Sequence, residues 1–215
     1  MVSSSRLRSV DGKLYTLDAG DGRPVYGEGL MTIDGKTFRE WVPWRSKLAA
    51  LIRKIGPDLP ISGDVLYLGA AQGTTVSHIS DLLEEGTIFA VEFSETAFRK
   101  LSVLAGKRAN IIPILEDAFH PERYRAVVPP VDLLYQDVSQ KEQLKLFLLN
   151  SGTFLKRRGT GILMLKSRSV DVTARPEDVY EIVTKGLEDN GFDVRHNIGL
   201  DPFQVDHSAI VVTKE

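Results

Sequence analysis

A turn built from small residues is the first stretch of this sequence that could bind a ligand. It lies in YLGAAQGTTVSHISD, between Tyr67 and Asp81, where an apolar run ends and a helical pattern begins. Residues without bulk allow a ligand to lie against the backbone, and Thr74 and Thr75 would supply hydroxyl and N–H groups at a helix N-terminus. The small residues of the turn are Gly69, Ala70, Ala71 and Gly73. The sequence GAAQG is not the GxGxxG pattern of dinucleotide-binding proteins.

Carboxylates follow the next apolar runs. Glu92 ends TIFAVE and lies 19 residues beyond Gly73, which is close to the spacing of about 20 at which an acidic residue binds a ribose diol. Asp117, followed by Ala118, could accept a hydrogen bond from an adenine amino group, and Asp137 lies where the reactive end of a cofactor would be. Taken singly, each carboxylate is more typical of a helix cap or a surface charge. Together, at successive strand ends, they indicate an adenosine-bearing cofactor.

The elements that position these residues follow an α/β pattern from residue 64 onward. Seven short apolar runs predict strands, and helical patterns lie between most of them, which favours a doubly wound, mostly parallel sheet with helices on both faces. The runs are DVLYLG, TIFAVE, NIIPIL, VDLLYQD, TGILMLK, FDVRHNIGL and SAIVV. The last two runs have no helix between them, so we expect the seventh strand to run antiparallel to the sixth.

The predicted helices of this region start at Thr74, after Ser94 as N-cap, at about Gln140 and at Pro176. Another helix is predicted in WVPWRSKLAALIRKIG, where apolar residues from Trp44 to Ile55 recur near helical spacing. Repeated Asp-Gly turns in the first 40 residues predict β-hairpins. We therefore expect a small β-rich N-terminal subdomain with its linking helix in residues 1–55, and a larger α/β domain in residues 56–215.

The composition of the chain limits the functional classes to which it can belong. With 27 Lys plus Arg against 29 Asp plus Glu, the net charge of −2 argues against a protein that binds nucleic acid by bulk electrostatics. Local basic clusters in RSKLAALIRK, FRKLSVLAGKR and FLKRRG are interpreted as solvated surface. The absence of cysteine excludes disulfides and thiolate nucleophiles, and four scattered histidines do not predict a metal site. The polar start and the lack of a long apolar run lead us to expect a cytoplasmic protein without membrane partners.

Several long motifs resemble the fibrillarin family, in its shorter archaeal form. They run through almost the whole chain: WVPWRSKLAA, LGAAQGTTVSHISD, FAVEFS, NIIPILEDAFHPERYR, DLLYQDVSQ, LKSRSVD and FQVDHSAIVV. The resemblance implies a class I, Rossmann-like methyltransferase that uses S-adenosylmethionine to methylate ribose 2′-hydroxyls in ribosomal RNA and, in archaea, also tRNA. It further implies a box C/D ribonucleoprotein with a guide RNA, a Nop-domain scaffold protein and a kink-turn-binding, ribosomal-protein-like subunit. Such partners would explain the modest charge of the chain.

The family's site residues match positions in this sequence. The implied cofactor contacts are the turn Gly69, Ala70, Ala71 and Gly73, with Thr74, Thr75, Glu92, Phe93, Asp117, Ala118, Asp137, Val138 and Gln140. Phe93 would lie against the adenine ring, although an ordinary core aromatic is the alternative. The implied catalytic residues are Lys47, Asp137, Lys166 and His207.

Roles within the catalytic set follow from the chemistry of a ribose hydroxyl, which is a weak acid. A free lysine, with a pKa of about 10.4, is a poor base near neutrality, but burial, a second lysine and a nearby sulfonium would all lower that pKa. We expect Lys166 to activate the hydroxyl and Asp137 to orient Lys166, with Lys47 and His207 positioning the ribose and its phosphate. His78, in the same run as the glycine turn, is interpreted as structural.

Other functions remain open at this point. A methyltransferase acting on protein, for example on glutamine, or on a small molecule would keep the cofactor residues but would not need the lysine, aspartate and histidine set. A noncatalytic structural subunit of an RNA particle would be expected to lose Lys166 or Asp137. An NAD-dependent oxidoreductase is disfavoured because GxGxxG is missing.

Overall fold

The computed structural model describes residues 5–215, which form a small antiparallel sheet and a larger mixed sheet. The small sheet has the strand order β1-β2-β4-β3. Its strands are β1 (Leu7–Val10), β2 (Lys13–Leu17), β3 (Leu30–Ile33) and β4 (Lys36–Trp41). Two of its connections are the expected Asp-Gly hairpin turns. In these turns Asp11 and Asp34 have φ of 48° and 51°, and the glycine that follows each of them also has a positive φ.

The large sheet has seven strands in the order β10-β11-β9-β8-β5-β6-β7. They are β5 (Val65–Leu68), β6 (Ile88–Glu92), β7 (Ile111–Leu115), β8 (Val131–Gln136), β9 (Leu155–Lys166), β10 (Phe192–Gly199) and β11 (His207–Lys214). The first five run parallel, and β11 pairs antiparallel with both β10 and β9. The predicted doubly wound sheet and its antiparallel last strand are therefore confirmed.

The helices are α1 (Lys47–Ile55), α2 (Thr74–Leu82), α3 (Glu95–Ala105), α4 (Gln143–Phe154), α5 (Ser167–Val170) and α6 (Pro176–Glu188). The predicted start at Thr74 and the Ser94 cap of α3 are confirmed, because the Ser94 hydroxyl accepts from the N–H of Ala97. Helix α4 begins three residues later than expected, after a turn at 141–142.

Trp44 does not belong to helix α1, contrary to the helical spacing that predicted it. Ser46 adopts an extended conformation and caps α1, so the preceding residues Pro43–Arg45 form a separate 3₁₀ turn. Trp44 lies on this turn with 64% of its surface exposed. The cap therefore separates Trp44 from the buried face of the helix.

Apolar side chains pack on both faces of the large sheet. One core joins α1, α2 and α3 to the sheet and also takes in Leu14 and Trp41 of the small sheet. The other joins α4 and α6 to the opposite face. The two-sided packing covers the central strands of the parallel region with helices, and the parallel order directs the loops at the carboxyl ends of β5, β6, β7 and β8 to one edge. Within residues 5–215, no helix has the length and apolar character needed to span a membrane.

Candidate active site

The glycine turn after β5 brings two loops into close contact. Gly69 has φ of +78°, and a Cβ atom at this position would collide with the backbone carbonyl of Asp137. Only glycine fits such a conformation and such an approach. The loop after β5 therefore lies directly against the loop after β8, which carries Asp137.

The end of the turn opens the N-terminus of α2. Gly73 has φ of +90°, and a Cβ there would collide with the Leu104 side chain of α3. In the described part of the chain no side chain caps α2, so its first N–H groups are available to a ligand. The Thr75 hydroxyl lies 3.0 Å from that of Ser46, the cap of α1. This contact ties the ligand-facing end of α2 to the start of the helix that carries Lys47.

Glu92 is held rigidly at the end of β6. Its Oε2 accepts from the N–H of Ala71 and its Oε1 from the N–H of Ser94, both at 2.8 Å. Ala71 has φ of +48°, a left-handed conformation that is rare outside glycine and is often found at functional sites. A carboxylate oxygen has two acceptor positions. Each oxygen of the buried Glu92 therefore has one acceptor position left for a hydroxyl of a diol.

A cavity of about 160 Å³ extends from Glu92 along the ends of β6, β7 and β8. Its lining includes Gly69, Ala71, Glu92, Phe93, Asp117, Ala118, Asp137, Val138 and Gln140. The ring of Phe93 is 67% exposed, so it is not the core aromatic that the sequence left open. The loop below the cavity is fixed, because Asp117 accepts from the N–H of Phe119 at 2.9 Å and Ala118 O accepts from Asn150 Nδ2 at 2.9 Å.

A second cavity, of about 380 Å³, continues on the other side of the glycine turn. It shares Gly69, Ala71 and Asp137 with the first, and it adds Arg45, Tyr67, Ala70, Gln72, Thr74 and Thr75. One end thus offers an aromatic face and diol acceptors, and the other offers a helix N-terminus and a carboxylate. This set of groups fits an adenosine joined to a charged amino-acid tail, as in S-adenosylmethionine.

Lys47 pairs with Asp137, the carboxylate that lines both cavities. Lys47 Nζ lies 2.6 Å from Asp137 Oδ1, and the two side chains are only 18% and 17% exposed. We expected Asp137 to orient Lys166, but the structure pairs it with Lys47. The first residue of α1 projects towards the loop after β8, and the cap at Ser46 sets that direction.

His207 and Lys166 lie opposite each other on paired strands β11 and β9. His207 Nδ1 lies 2.7 Å from the carbonyl oxygen of Val205; since a carbonyl only accepts, Nδ1 carries the proton and Nε2 is free to accept. Burial lowers the pKa of His207 below its usual value, although the Val205 carbonyl opposes that shift, and the charge of Lys47 adds to the lowering. The charges of Asp137 and Lys166 act on this pKa in opposite directions, since Asp137 raises it and Lys166 lowers it.

The backbone of Lys166 is held by a residue that the sequence did not indicate. Gln143 accepts from Lys166 N–H and donates to Lys166 O, both at 3.0 Å. The Lys166 ammonium has no hydrogen bond or ion pair with any of residues 5–215. Arg45 was also missed; it donates to Tyr26 O at 3.1 Å and lies over the Tyr26 ring at 4.6 Å. The only sequence signal for Arg45 was its place beside Ser46 and Lys47.

His78 lies away from the cavities, in a buried network that joins α2 to the small sheet, in keeping with a structural role. Its Nδ1 donates to Thr16 Oγ1 at 2.7 Å, and Thr16 in turn donates to Asp81 at 2.7 Å. On the other side, Tyr26 O–H lies 2.7 Å from Nε2, and the Trp41 ring stacks on the imidazole. Among residues 5–215 no group of three potential ligands is arranged to hold a metal ion.

The family model described as Fibrillarin matches residues 2–215. The chain belongs to the fibrillarin family. The fibrillarin-like rRNA/tRNA 2′-O-methyltransferase of Archaeoglobus fulgidus is 50% identical over 187 residues, which is 86% of each chain. The resemblance expected from the motifs is therefore confirmed.

Two solved fibrillarin structures have the same fold. Aeropyrum pernix fibrillarin, solved with natively bound S-adenosyl-L-methionine, has a TM-score of 0.86 and 38% identity, covering 99% of this chain and 100% of that one. The fibrillarin of a fibrillarin/Nop5p complex has a TM-score of 0.88 and 43% identity, covering 98% of each chain. These scores extend over the small N-terminal sheet as well as the large one.

Proposed function

We propose that this member of the fibrillarin family transfers a methyl group from S-adenosylmethionine to ribose 2′-hydroxyls of ribosomal RNA and tRNA. The observation that carries the proposal is that Asp137 lines both cavities and pairs with Lys47, because a cofactor site that ends beside a basic group suits transfer to a weakly acidic hydroxyl. The named activity of the Archaeoglobus fulgidus relative and the cofactor of the Aeropyrum pernix structure support it.

The cofactor would lie along the ends of β5 to β8. Glu92 would accept from the ribose hydroxyls, Phe93 would cover the adenine, and Asp117 would accept from the adenine amino group. When bound, S-adenosylmethionine supplies a methyl group activated by a positively charged sulfur. Asp137 would face that positive charge, since it is the carboxylate common to both cavities.

The target ribose would enter beside Lys47, Lys166 and His207. We assign the acceptance of the hydroxyl proton to the uncharged amine form of Lys166, which makes no hydrogen bond or ion pair among residues 5–215 through its side chain and acts from a backbone fixed by Gln143. His207, neutral near pH 7, would accept a hydrogen bond at Nε2 and orient the ribose. Holding the hydroxyl in line with the methyl group contributes to the rate independently of the proton transfer.

The protein would act within a ribonucleoprotein particle. The fibrillarin/Nop5p complex supports a Nop-domain scaffold as partner of this chain. We further propose that a box C/D guide RNA selects the nucleotide and that a kink-turn-binding, ribosomal-protein-like subunit completes the particle, which functions in the cytoplasm. A net charge of −2 supports this, because a subunit brought to its target by a scaffold does not need a strongly basic surface.

Methyl transfer tests the proposal directly. Labelled S-adenosylmethionine is supplied with a target RNA, first to the protein alone and then to the protein with guide RNA and the two partner proteins. We expect label at the guided nucleotide of the assembled particle only, and none when that nucleotide is 2′-deoxy. Cofactor binding without RNA methylation in either setting would contradict the proposal and favour a protein substrate.

A further inference from the structure

A large cleft lies beside the second cavity of the site. Its volume is about 580 Å³, and it is bounded by the loop at residues 20–26, the end of the glycine turn and helix α3. Three of its lining residues, Arg45, Gln72 and Thr74, also line the second cavity. The cleft and the cofactor site therefore share a wall.

Positive charge is concentrated in this cleft. Among the described residues that line it, Asp21 is the only acidic one, whereas five exposed residues are cations. Arg108 also lines the cleft, but it is buried and paired within the fold. The whole chain has a net charge of −2, so the cleft is opposite in sign to the average surface. The exposed cations are Arg23, Arg45, Arg99, Lys100 and Lys107.

Internal ion pairs leave much of this charge uncompensated. Lys107 lies 3.1 Å from Asp21. Arg99 lies 3.9 Å from Glu95, and both side chains are largely exposed, so this pair contributes little. The cations with no carboxylate at ion-pair distance within residues 5–215 are Arg23, Arg45 and Lys100.

Two of these cations are held at the boundary with the cofactor site. Tyr26 holds the Arg45 guanidinium through its ring and its carbonyl oxygen. Lys100 Nζ donates to Oε1 of Gln72, in the glycine turn, at 3.1 Å. Arg45 lies two residues before Lys47. An anion bound in the cleft is therefore fixed relative to the segment that carries Lys47.

A row of unpaired cations is complementary to a phosphodiester backbone. Pairing of a target RNA with its guide uses the base edges and leaves the phosphates of both strands at the surface of the duplex. Proteins use contacts with such phosphates to position a nucleic acid without reading its sequence. An enzyme directed by a guide RNA needs this kind of contact, because the guide already selects the nucleotide.

We propose that this cleft binds phosphates of the RNA duplex formed by the guide and its target. The inference rests on the proposed function, and it assigns the surface that holds the duplex while one ribose reaches Lys47 and Lys166. Arg23, Arg45 and Lys100 supply the principal contacts. These contacts exist in the bound RNA before the reaction, so they act on affinity for the target more than on turnover.

The salt dependence of RNA binding tests the charge contacts. Particles assembled with guide RNA and the two partner proteins bind a fluorescent target RNA, and anisotropy gives Kd between about 50 and 200 mM salt. R23A/K100A should remove two phosphate contacts, so the wild type should lose about tenfold more affinity than this variant over that range. Pairing with the guide is the same in both particles and cancels in the comparison. Affinity for S-adenosylmethionine should stay within a few-fold, because neither residue lines the second cavity.

A matched variant removes the same charge elsewhere. R157A/K185A takes one exposed cation from the start of β9 and one from α6, both outside the cleft. Its salt dependence should stay close to that of the wild type. Equal changes in the two double variants would overturn the proposal, since they would show an effect of net charge alone. Loss of scaffold binding by R23A/K100A with unchanged salt dependence would also overturn it, because the occupant would then be an acidic protein surface.

Uncharged linkages in the RNA identify the phosphates that are bound. A single methylphosphonate in the target or the guide keeps the base pairing but removes one charge. At linkages held by the cleft, it should weaken binding to the wild-type particle several-fold and add little to the effect of R23A/K100A. Independent effects at every linkage would contradict the proposal.

This measurement is separate from the test of the proposed activity, because binding is read without methyl transfer. Normal methylation without any coupling between cleft and linkage would refute the role of the cleft alone. Coupling without methylation by the wild-type particle would refute the proposed activity and leave the role of the cleft intact.

Discussion

Lys47 Nζ lies 2.6 Å from Asp137 Oδ1, and this contact connects residues 90 positions apart in the chain. Both side chains are largely shielded from water, so each depends on the other for compensation of its charge. Asp137 therefore has two functions in our proposal, because it fixes Lys47 and also faces the cofactor's positive charge.

Replacing Asp137 is expected to affect both binding and turnover. Asp137→Asn keeps the shape of the side chain but removes its charge, so we expect weaker cofactor binding and a turnover lower by about 100-fold, the loss typical of one electrostatic contact in an active site. Calorimetry with S-adenosylmethionine and methyl transfer from the labelled cofactor give the two values. Unchanged cofactor affinity would be inconsistent with the proposed place of Asp137.

Lys166→Ala separates catalysis from cofactor binding. We expect methyl transfer to fall by at least about 100-fold, within the range for loss of a general acid–base group, while cofactor affinity stays within a few-fold. The Lys166 ammonium makes no hydrogen bond or ion pair within residues 5–215, so its removal should leave the fold intact. Lys185→Ala, an exposed lysine of α6, serves as the control. Full activity of Lys166→Ala would refute its role.

Phe93→Ala tests the adenine end of the site. The Phe93 ring lines the first cavity and is 67% exposed, and Val103 on α3 has the same exposure but lies outside that cavity. Loss of one base–aromatic stack should weaken cofactor binding by about 5- to 150-fold. Calorimetry should show no such change in Val103→Ala. Equal affinities in the two variants would mean that adenine does not lie on Phe93.

The sequence predicted the strands and the residues at their ends better than the contacts among them. Apolar runs such as VDLLYQD indicate buried strands. Because the carboxyl ends of parallel strands meet at one edge of the sheet, the fold class alone predicted a common location for Gly69, Glu92, Asp117 and Asp137. The pairing of Asp137 with Lys47 did not follow, because nothing local to either residue specifies a partner 90 positions away.

Buried charge was the other feature that the sequence concealed. The cluster FRKLSVLAGKR was interpreted as solvated surface, but Arg108 is almost fully buried and pairs with Asp18 and Asp81. Arg39 is likewise buried against Glu28 and Asp81. Charged residues become buried only when tertiary structure supplies opposite charges, and the period of a helix or strand contains no information about such partners.

Removing Arg39 is expected to destabilise the fold strongly. Arg39 pairs with Glu28 and Asp81 at 2.7 Å each, with all three side chains inaccessible to water. Arg39→Ala would leave two carboxylates without this compensation, so we expect the free energy of unfolding to fall by about 3–5 kcal/mol, measured by urea denaturation. Arg175→Ala, which removes an exposed pair with Asp178, should cause no measurable change. Equal stability of the two variants would show that the buried network contributes little.

The buried His78 should make stability depend on pH in a defined direction. Burial lowers the pKa of His78 well below its usual value, and the charges of Arg39 and Arg108 add to this effect. In the unfolded chain the imidazole takes up a proton when the pH falls below its pKa of about 6.5. In the folded protein the buried imidazole stays neutral to lower pH. The stabilising contribution is therefore complete above pH 6.5 and is lost as the pH falls below that value.

Thermal unfolding between pH 8 and pH 5 measures this dependence. We expect the wild-type melting temperature to be constant above about pH 7 and to fall below about pH 6.5. His207, whose pKa is also lowered, should contribute a smaller part of the slope, so His207→Gln provides the comparison. His78→Asn should be less stable at pH 8, because its hydrogen bonds to Thr16 and Tyr26 are impaired, but it should lose most of the slope. A slope that persists in His78→Asn and disappears in His207→Gln would assign the pH dependence to the catalytic set instead.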